Sequence, residues 1–166
     1  VSAIAATAGR ARALGVLWRF GRPHTEIGTA ISIVGLFTIV VSGIPSPDAG
    51  LAAFQLFWTL VAGISVNVFI TGINQITDVE IDRINKPFLP IAAGELSPGA
   101  AKVIVALCCA IPLAMGLTQG AAETGAVAAG LAIGALYSLP PFRLKRFPVA
   151  ASSSMNCERA NGSSAA

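Results

Sequence analysis

The chain has few charged residues. Asp, Glu, Lys and Arg make up 11% of its 166 residues, whereas about a quarter of the residues in a typical soluble domain are charged. Hydrophobic residues, in contrast, make up 54%. This balance excludes an ordinary soluble domain and indicates a membrane protein.

Cysteine is also scarce, and the three that are present form no recognisable pattern. Cys108 and Cys109 are adjacent within a long apolar run, and Cys157 lies in a polar segment near the carboxyl end. Neither arrangement matches the ligand spacing of a zinc site or the even cysteine set of a disulfide framework. The cysteines therefore predict neither a metal centre nor a disulfide-stabilised fold.

Long apolar runs are abundant, and they set the fold class. A membrane-spanning helix needs about 20 apolar residues, with roughly 17 tolerated. Two runs meet this length well and two are short, the last being rich in Gly and Ala, which suits close packing of membrane helices. We predict an all-α membrane protein with about four transmembrane helices, over residues 27–44, 51–73, 101–117 and 125–139.

Basic residues are absent from the loops 45–50 and 118–124, whose charged residues are Asp48 and Glu123 alone. Positive charge collects on the cytoplasmic side of membrane proteins and, more generally, on one side of the bilayer. Four crossings place all eleven basic residues on one membrane face, here called the basic side: Arg10, Arg12, Arg19, Arg22, Arg83, Lys86, Lys102, Arg143, Lys145, Arg146 and Arg159. Topology thus accounts for the net charge of +3, and no nucleic-acid partner is predicted.

Composition divides the chain into three parts. Residues 1–16 are rich in Ala, contain Arg and lack acidic residues, as expected of a transit-peptide remnant or a disordered segment. Residues 17–150 hold the apolar runs and form the predicted membrane domain. Residues 151–166 are dominated by Ser, Ala, Asn and Gly, which predicts a disordered polar tail.

Asn74, Asp78 and Asp82 are spaced four residues apart at the end of the second apolar run. Steps of four turn a helix by only about 40°, so the three side chains share one helix face. Prolines follow at 87 and 90, and the residue before a proline avoids the helical region. The sequence therefore predicts one helix that carries all three side chains past the membrane boundary and ends near Asn85 or Lys86.

The chemistry of this face favours a hard cation. Mg²⁺ binds one or two carboxylates together with substrate phosphates, and Arg83 and Lys86 offer cations for the same phosphate oxygens. A simpler interpretation is a solvated helix end whose acids pair with nearby Arg83, Lys86 or Lys102. Glu80 belongs to that interpretation, because it lies on the opposite helix face.

Three ordered blocks of sequence resemble a known family. The motif NxxxDxxxD at Asn74 to Asp82 resembles the signature of the UbiA-type intramembrane aromatic prenyltransferases. WRFGRPHTEIGT, INQITDVEIDRINKPFLPIAAGELS and LYSLPPFRLKRFPVAA are similar to three blocks of the homogentisate branch of that family, and they lie at 18–29, 73–97 and 136–151.

The resemblance implies an enzyme of the plastid membrane that transfers a polyprenyl group from its diphosphate to homogentisate, in plastoquinone or tocopherol synthesis. Asn74, Asp78 and Asp82 would be the catalytic residues and hold Mg²⁺ on the diphosphate. The bilayer and the two substrates would be its partners. The residues implied to bind the diphosphate are Arg22, Arg83, Lys86, Tyr137, Arg143 and Lys145, with His24 a weaker candidate.

The chain departs from the family after residue 151. Full members have about nine spans and a second aspartate-rich loop, so we expect this chain to form the first half of a UbiA-type bundle. An inactive or regulatory membrane fragment is therefore the alternative function. Acidic residues at membrane depth also allow an ion-transporting protein, although the three blocks argue against it. Within the enzyme hypothesis, the phrases GINQ and PIAAG favour a solanesyl over a phytyl donor slightly.

Overall fold

The computed structural model describes residues 2–139 and is helical almost throughout that range. Six helices follow one another: α1 (Ser2–Gly21), α2 (Pro23–Ser42), α3 (Ala49–Thr77), α4 (Val79–Asn85), α5 (Pro98–Gln119) and α6 (Ala121–Ser138). No strand occurs in these residues. The predicted all-α class is confirmed.

Three of the helices are long and apolar enough to cross a membrane, namely α2, α3 and α5. They contain the second and third apolar runs that the sequence predicts as spans, and all of the first run except its last two residues. The fourth run also forms a helix, α6, but α6 is not among the helices of residues 2–139 that meet this test. An all-α membrane protein is thus confirmed, while the fourth crossing stays a prediction.

Two of these helices begin with a side-chain cap that can be read from the sequence. The Asp48 carboxylate accepts a hydrogen bond of 2.8 Å from the Leu51 N–H at the start of α3. The Ser97 hydroxyl accepts one of 3.2 Å from the Ala100 N–H at the start of α5, and Pro98 occupies the first turn. Each cap satisfies one of the N–H groups that a helix start leaves without a partner.

Helix α3 is the central element, because α1, α2, α5 and α6 all pack against it. Gly72 lies where α1 and α5 meet α3. A Cβ atom at that position would lie 2.5 Å from Val105 Cγ2 and 2.9 Å from Phe20 Cζ, distances that real Cβ atoms do not show. The absence of a side chain at Gly72 therefore allows Phe20, only 1% exposed, to pack against α3.

Helices α3 and α6 pack in parallel. A Cβ atom on Gly130 would lie 3.4 Å from Val66 Cγ1, and one on Gly134 would lie 2.4 Å from Ile70 Cγ1. Each step of four along α6 is matched by a step of four in the same direction along α3. Parallel orientation agrees with the predicted topology, in which the second and fourth spans run toward the same membrane face. Small residues make the close approach possible.

The proposed domain boundaries fall partly within this range. α1 runs from Ser2 to Gly21 and so continues across the predicted boundary at residue 16. A transit peptide is itself an amphipathic segment, so a helix does not distinguish a remnant from part of the membrane domain, and the boundary stays a prediction. The predicted tail, 151–166, lies outside the described residues.

Candidate functional site

The motif side chains lie at a break between two helices. α3 ends at Thr77, α4 begins at Val79, and Asp78 between them has φ −113° and ψ 20°. The single helix predicted from the sequence is therefore two helices, while its predicted end, at Asn85, is confirmed.

The break leaves the backbone hydrogen bonds between the motif residues intact. The Asp78 N–H donates to the Asn74 carbonyl at 3.0 Å, and the Asp82 N–H donates to the Asp78 carbonyl at 2.8 Å. Both bonds connect residues four apart, as in a helix. Asn74, Asp78 and Asp82 therefore still occupy successive turns.

Asp82 is buried, with 6% of its surface exposed. Its carboxylate lies 3.5 Å from the Lys86 ammonium, one helical turn later. Burying a carboxylate is costly unless a cation or hydrogen-bond donors compensate. The simpler interpretation predicts the pairing of Asp82 with Lys86, but a solvated helix end would leave the Asp82 side chain in water rather than buried.

Arg83 is placed differently from Lys86. Its guanidinium donates a hydrogen bond of 3.2 Å to Glu80, and both side chains are exposed. This is the surface ion pair that the simpler interpretation predicts, and such pairs contribute roughly 0–1 kcal/mol. Of the two predicted diphosphate ligands beside the motif, the structure places Lys86 against a motif carboxylate and Arg83 against an acid outside the motif.

The loop after α4 is held against the helices. Leu89, Pro90 and Ile91 are all buried, so this loop forms part of the core. Glu95, further along the loop, makes a bidentate ion pair with Arg19 of α1. Both the buried apolar residues and the ion pair thus hold the loop that follows the motif against the helices.

Arg22 forms the corner between α1 and α2. Its backbone has φ 60° and ψ 76°, the left-handed region, which non-glycine residues adopt at a cost of about 1–3 kcal/mol. Its carbonyl accepts hydrogen bonds of 2.8 Å from both the N–H and the hydroxyl of Thr25. The half-buried side chain makes no ion pair with any residue in the described range. His24, also in this corner, is exposed.

The end of α6 reaches the motif. The Ser138 hydroxyl donates a hydrogen bond of 2.8 Å to Asn74 Oδ1, and Ser138 is fully buried. Tyr137 is 47% exposed. The structure thus joins the second and third blocks of the resemblance through a residue that the sequence analysis did not single out. Arg143 and Lys145 lie outside the described residues.

Gln75 is a second buried polar residue that the sequence analysis missed. It is 2% exposed, and its Nε2 donates a hydrogen bond of 2.7 Å to the Phe20 carbonyl of α1. Its Oε1 has no hydrogen-bond partner among the described residues. An amide directly after Asn74 in an apolar helix was the available signal for this contact.

A cleft runs between α2 and α6 over the surface of α3. Its cavity of about 390 Å³ is lined mainly by apolar and small side chains, with Thr29, Thr59, Asn67 and Glu123 as polar members. Ile70 also lines it and lies one helical turn before Asn74. The cleft therefore ends about 6 Å along the helix axis from the first motif residue.

The oxygen ligands present fit a hard cation that is completed by substrate. Asn74 offers an amide oxygen, Asp78 a half-buried carboxylate and Asp82 a buried one. Within the described residues no three His, Cys, Asp or Glu side chains form a group able to hold a metal ion by themselves. Mg²⁺ needs no such cage when phosphate oxygens supply the remaining ligands.

Comparison with known proteins identifies the family of most of the chain. Residues 29–153 match the UbiA prenyltransferase family. The chain is 46% identical over 135 residues to a probable homogentisate phytyltransferase 2 of Oryza sativa. It is 42% identical over 135 residues to a homogentisate phytyltransferase of Synechocystis, and 42% identical over 142 residues to a homogentisate solanesyltransferase of Arabidopsis thaliana.

These matches cover most of the chain but less than half of each relative. They include 81% of this chain and 36% of the rice protein, 81% and 44% for the cyanobacterial protein, and 85% and 37% for the Arabidopsis protein. The chain thus spans about two fifths of the length of these curated relatives. No solved structure matches the chain.

Proposed function

The chain belongs to the UbiA prenyltransferase family, and we propose that it supplies the diphosphate-binding half of an enzyme that prenylates homogentisate in a plastid membrane. The observation that carries the proposal is the position of Asn74, Asp78 and Asp82 on successive turns that begin about 6 Å beyond the end of an apolar cleft. A prenyl diphosphate has the same division into an anionic head and an apolar tail.

The head of the donor lies against the motif. Asn74, Asp78 and Asp82 are the residues that hold Mg²⁺, and bound Mg²⁺ supplies Lewis-acid stabilisation of the departing diphosphate. Lys86, already beside Asp82 at 3.5 Å, contributes a positive charge to the same region. Arg22, whose guanidinium has no ion-pair partner in the described range, adds a second.

The tail of the donor follows the cleft away from the motif. The lining residues between Ile70 and Thr59 extend along α3 for about 16 Å at 1.5 Å per residue. Their apolar surface gives the isoprenoid chain a place out of water and keeps water from the reacting carbon.

In the reaction, the bond between the allylic carbon and the diphosphate oxygen breaks, and its electron pair leaves with the diphosphate. Fixed cations stabilise that growing negative charge. The electron-rich ring of homogentisate forms the new carbon–carbon bond, and the attacked ring carbon then loses its proton to restore the aromatic ring. The carboxyl group of homogentisate leaves as carbon dioxide, and the side-chain carbon that carried it takes up a proton to become a methyl group. Phytyl and solanesyl donors both match the names of relatives at 42% identity, so both belong in the test.

The test joins residues 1–150 of this chain to the carboxyl-terminal part of the Synechocystis relative, in a protein here called the chimera. Membranes that contain the chimera are expected to convert labelled homogentisate to a lipid-soluble product with Mg²⁺ and one of the two donors. Asp78→Asn in the chimera is expected to abolish the product. An inactive chimera beside an active parent relative would contradict the proposal.

The unextended chain, assayed in parallel, separates an enzyme from a regulatory fragment. Product from the unextended chain shows that these helices suffice. A chain that forms no product, but changes the rate of the co-expressed Synechocystis enzyme, acts as a fragment that modulates it.

A further inference from the structure

Ser138 of α6 differs from several hydroxyls of α2 and α3 in where its hydrogen bond goes. Serine and threonine within helices commonly donate to a carbonyl of their own preceding turn. Several side chains here follow that rule, with donor–acceptor distances of 2.7–2.9 Å: Ser32, Thr38, Thr59 and Ser65. Ser138 instead donates across the helix pair to Asn74 Oδ1 at 2.8 Å.

We propose that Ser138 is a positioning residue for the metal site, which acts by fixing the orientation of the Asn74 side-chain amide. The proposal rests on the proposed function, because it assumes that Asn74 is a ligand in the diphosphate site. It adds a residue and a role beyond the motif itself.

The need for such a residue follows from the chemistry of asparagine. Rotation about the terminal bond of Asn is broad, and only the oxygen end of the amide can bind a cation. An amide oxygen has two lone pairs, so Oδ1 can accept the Ser138 hydrogen bond and still bind a cation. Partners that orient metal ligands in this way typically contribute 10–100-fold to metal affinity or activity.

The packing of α6 on α3 makes the contact specific. Gly130 and Gly134 bring α6 close to Val66 and Ile70, in parallel register. One further step of four on each helix arrives at Ser138 and Asn74. The same small residues of α6 that let the two backbones approach therefore place the Ser138 hydroxyl beside the Asn74 amide.

Because Ser138 is buried, water does not take the place of its hydroxyl as the hydrogen-bond donor to Asn74. Ser138 has 0% of its surface exposed, so a water molecule cannot reach Asn74 from that side unless the helices separate. Replacing Ser138 with Ala removes the hydrogen bond to Oδ1 and so weakens the hold on the orientation of the amide.

The test measures Mn²⁺ binding to the full chain in zwitterionic lipid nanodiscs at a fixed concentration of inorganic pyrophosphate, from the Mn²⁺ that stays with the nanodiscs on gel filtration. Pyrophosphate supplies the phosphate oxygens that complete the ligands of the cation. Ser138→Ala is expected to weaken Mn²⁺ binding about tenfold. Ser65→Ala, which removes a half-buried hydroxyl bonded to its own helix at 2.7 Å, is the matched control and is expected to leave binding unchanged.

A double-mutant comparison distinguishes positioning from general damage. If Ser138 acts through Asn74, Ser138→Ala has no further effect on Mn²⁺ binding in a chain that already carries Asn74→Ala. Additive losses, or Mn²⁺ binding by Ser138→Ala equal to that of the unsubstituted chain, overturn the proposal. Mn²⁺ binding that is absent even from the unsubstituted chain overturns the metal assignment in the proposed function, and this proposal with it.

Discussion

Gln75 Nε2 donates a hydrogen bond of 2.7 Å to the main-chain carbonyl of Phe20. Phe20 lies in the last turn of α1, which ends at Gly21, and carbonyls of a last turn have no partner within their own helix. The Gln75 side chain therefore completes the carboxyl end of α1 and joins it to α3, directly beside the motif residue Asn74.

Replacing Gln75 with Leu is expected to destabilise the protein. The substitution removes the donor and leaves the buried Phe20 carbonyl unsatisfied, which costs about 1–3 kcal/mol. The measurement is the free energy of unfolding in mixed detergent micelles, together with hydrogen exchange of the amides at the end of α1, which should become faster.

Gln55→Leu is the matched control, because Gln55 lies in the same helix and is exposed. It is expected to change the free energy of unfolding by less than about 0.5 kcal/mol. Equal destabilisation by the two substitutions would show that the Gln75 contact contributes nothing specific.

Asp82 and Glu80 offer a test of which acids serve the site. Asp82→Asn keeps the shape of a buried side chain but removes the charge, so product formation by the chimera is expected to fall by about 10²-fold or more. Glu80→Gln removes only the exposed partner of Arg83 and is expected to leave the rate within about twofold, since such pairs are energetically minor. A large loss from Glu80→Gln would instead give the surface ion pair a role in the reaction.

Sequence reasoning predicted most of the helices but not how they meet. The apolar runs and the prolines after Lys86 gave helix positions and the end of the motif helix, because both depend on residues close in sequence. The break at Asp78 follows no proline or glycine. An aspartate side chain competes with the helical backbone for hydrogen bonds, but that effect is too weak to predict a break.

The contacts that build the site connect distant residues. Ser138 bonds Asn74 across 64 positions, and Gln75 bonds Phe20 across 55. Helical periodicity assigns each side chain to a face, yet it does not say which helix that face meets or at what register. Close packing at Gly72 and Gly134 decides that register, and it became visible only in the folded chain.

A large side chain that fills the cleft is expected to impair use of the prenyl diphosphate. Ala126 lines the cavity between α2, α3 and α6, so Ala126→Trp is expected to occupy space that the isoprenoid tail needs. The expected result is a higher KM for the prenyl diphosphate and a loss in kcat/KM of about tenfold or more, with Mn²⁺ binding unchanged, measured on the chimera.

Ala128→Trp controls for the bulk of the new side chain. Ala128 lies on the same helix, is exposed and is not among the residues that line the cavity. Similar kinetic losses in both variants would argue against a tail site in this cleft.

Arg22 and Ser46 make a matched pair for testing strain. Both have positive φ, 60° and 55°, and glycine adopts that region without the steric cost of a side chain. Each substitution by Gly is therefore expected to keep or raise the midpoint of thermal unfolding in detergent, by relieving about 1 kcal/mol or more of backbone strain. Arg22→Gly alone is expected to lower kcat/KM of the chimera for the prenyl diphosphate, by about ten- to a hundredfold, since hydrogen bonds to charged groups contribute about 1.5–3 kcal/mol. Loss of function without loss of stability would show that the strained backbone at Arg22 serves binding. Ser46 lies in the loop that the sequence assigns to the opposite membrane face. Ser46→Gly is therefore expected to keep or raise the midpoint of thermal unfolding and to leave the kinetics unchanged. If Arg22→Gly leaves the kinetics unchanged as well, Arg22 has no part in binding the diphosphate.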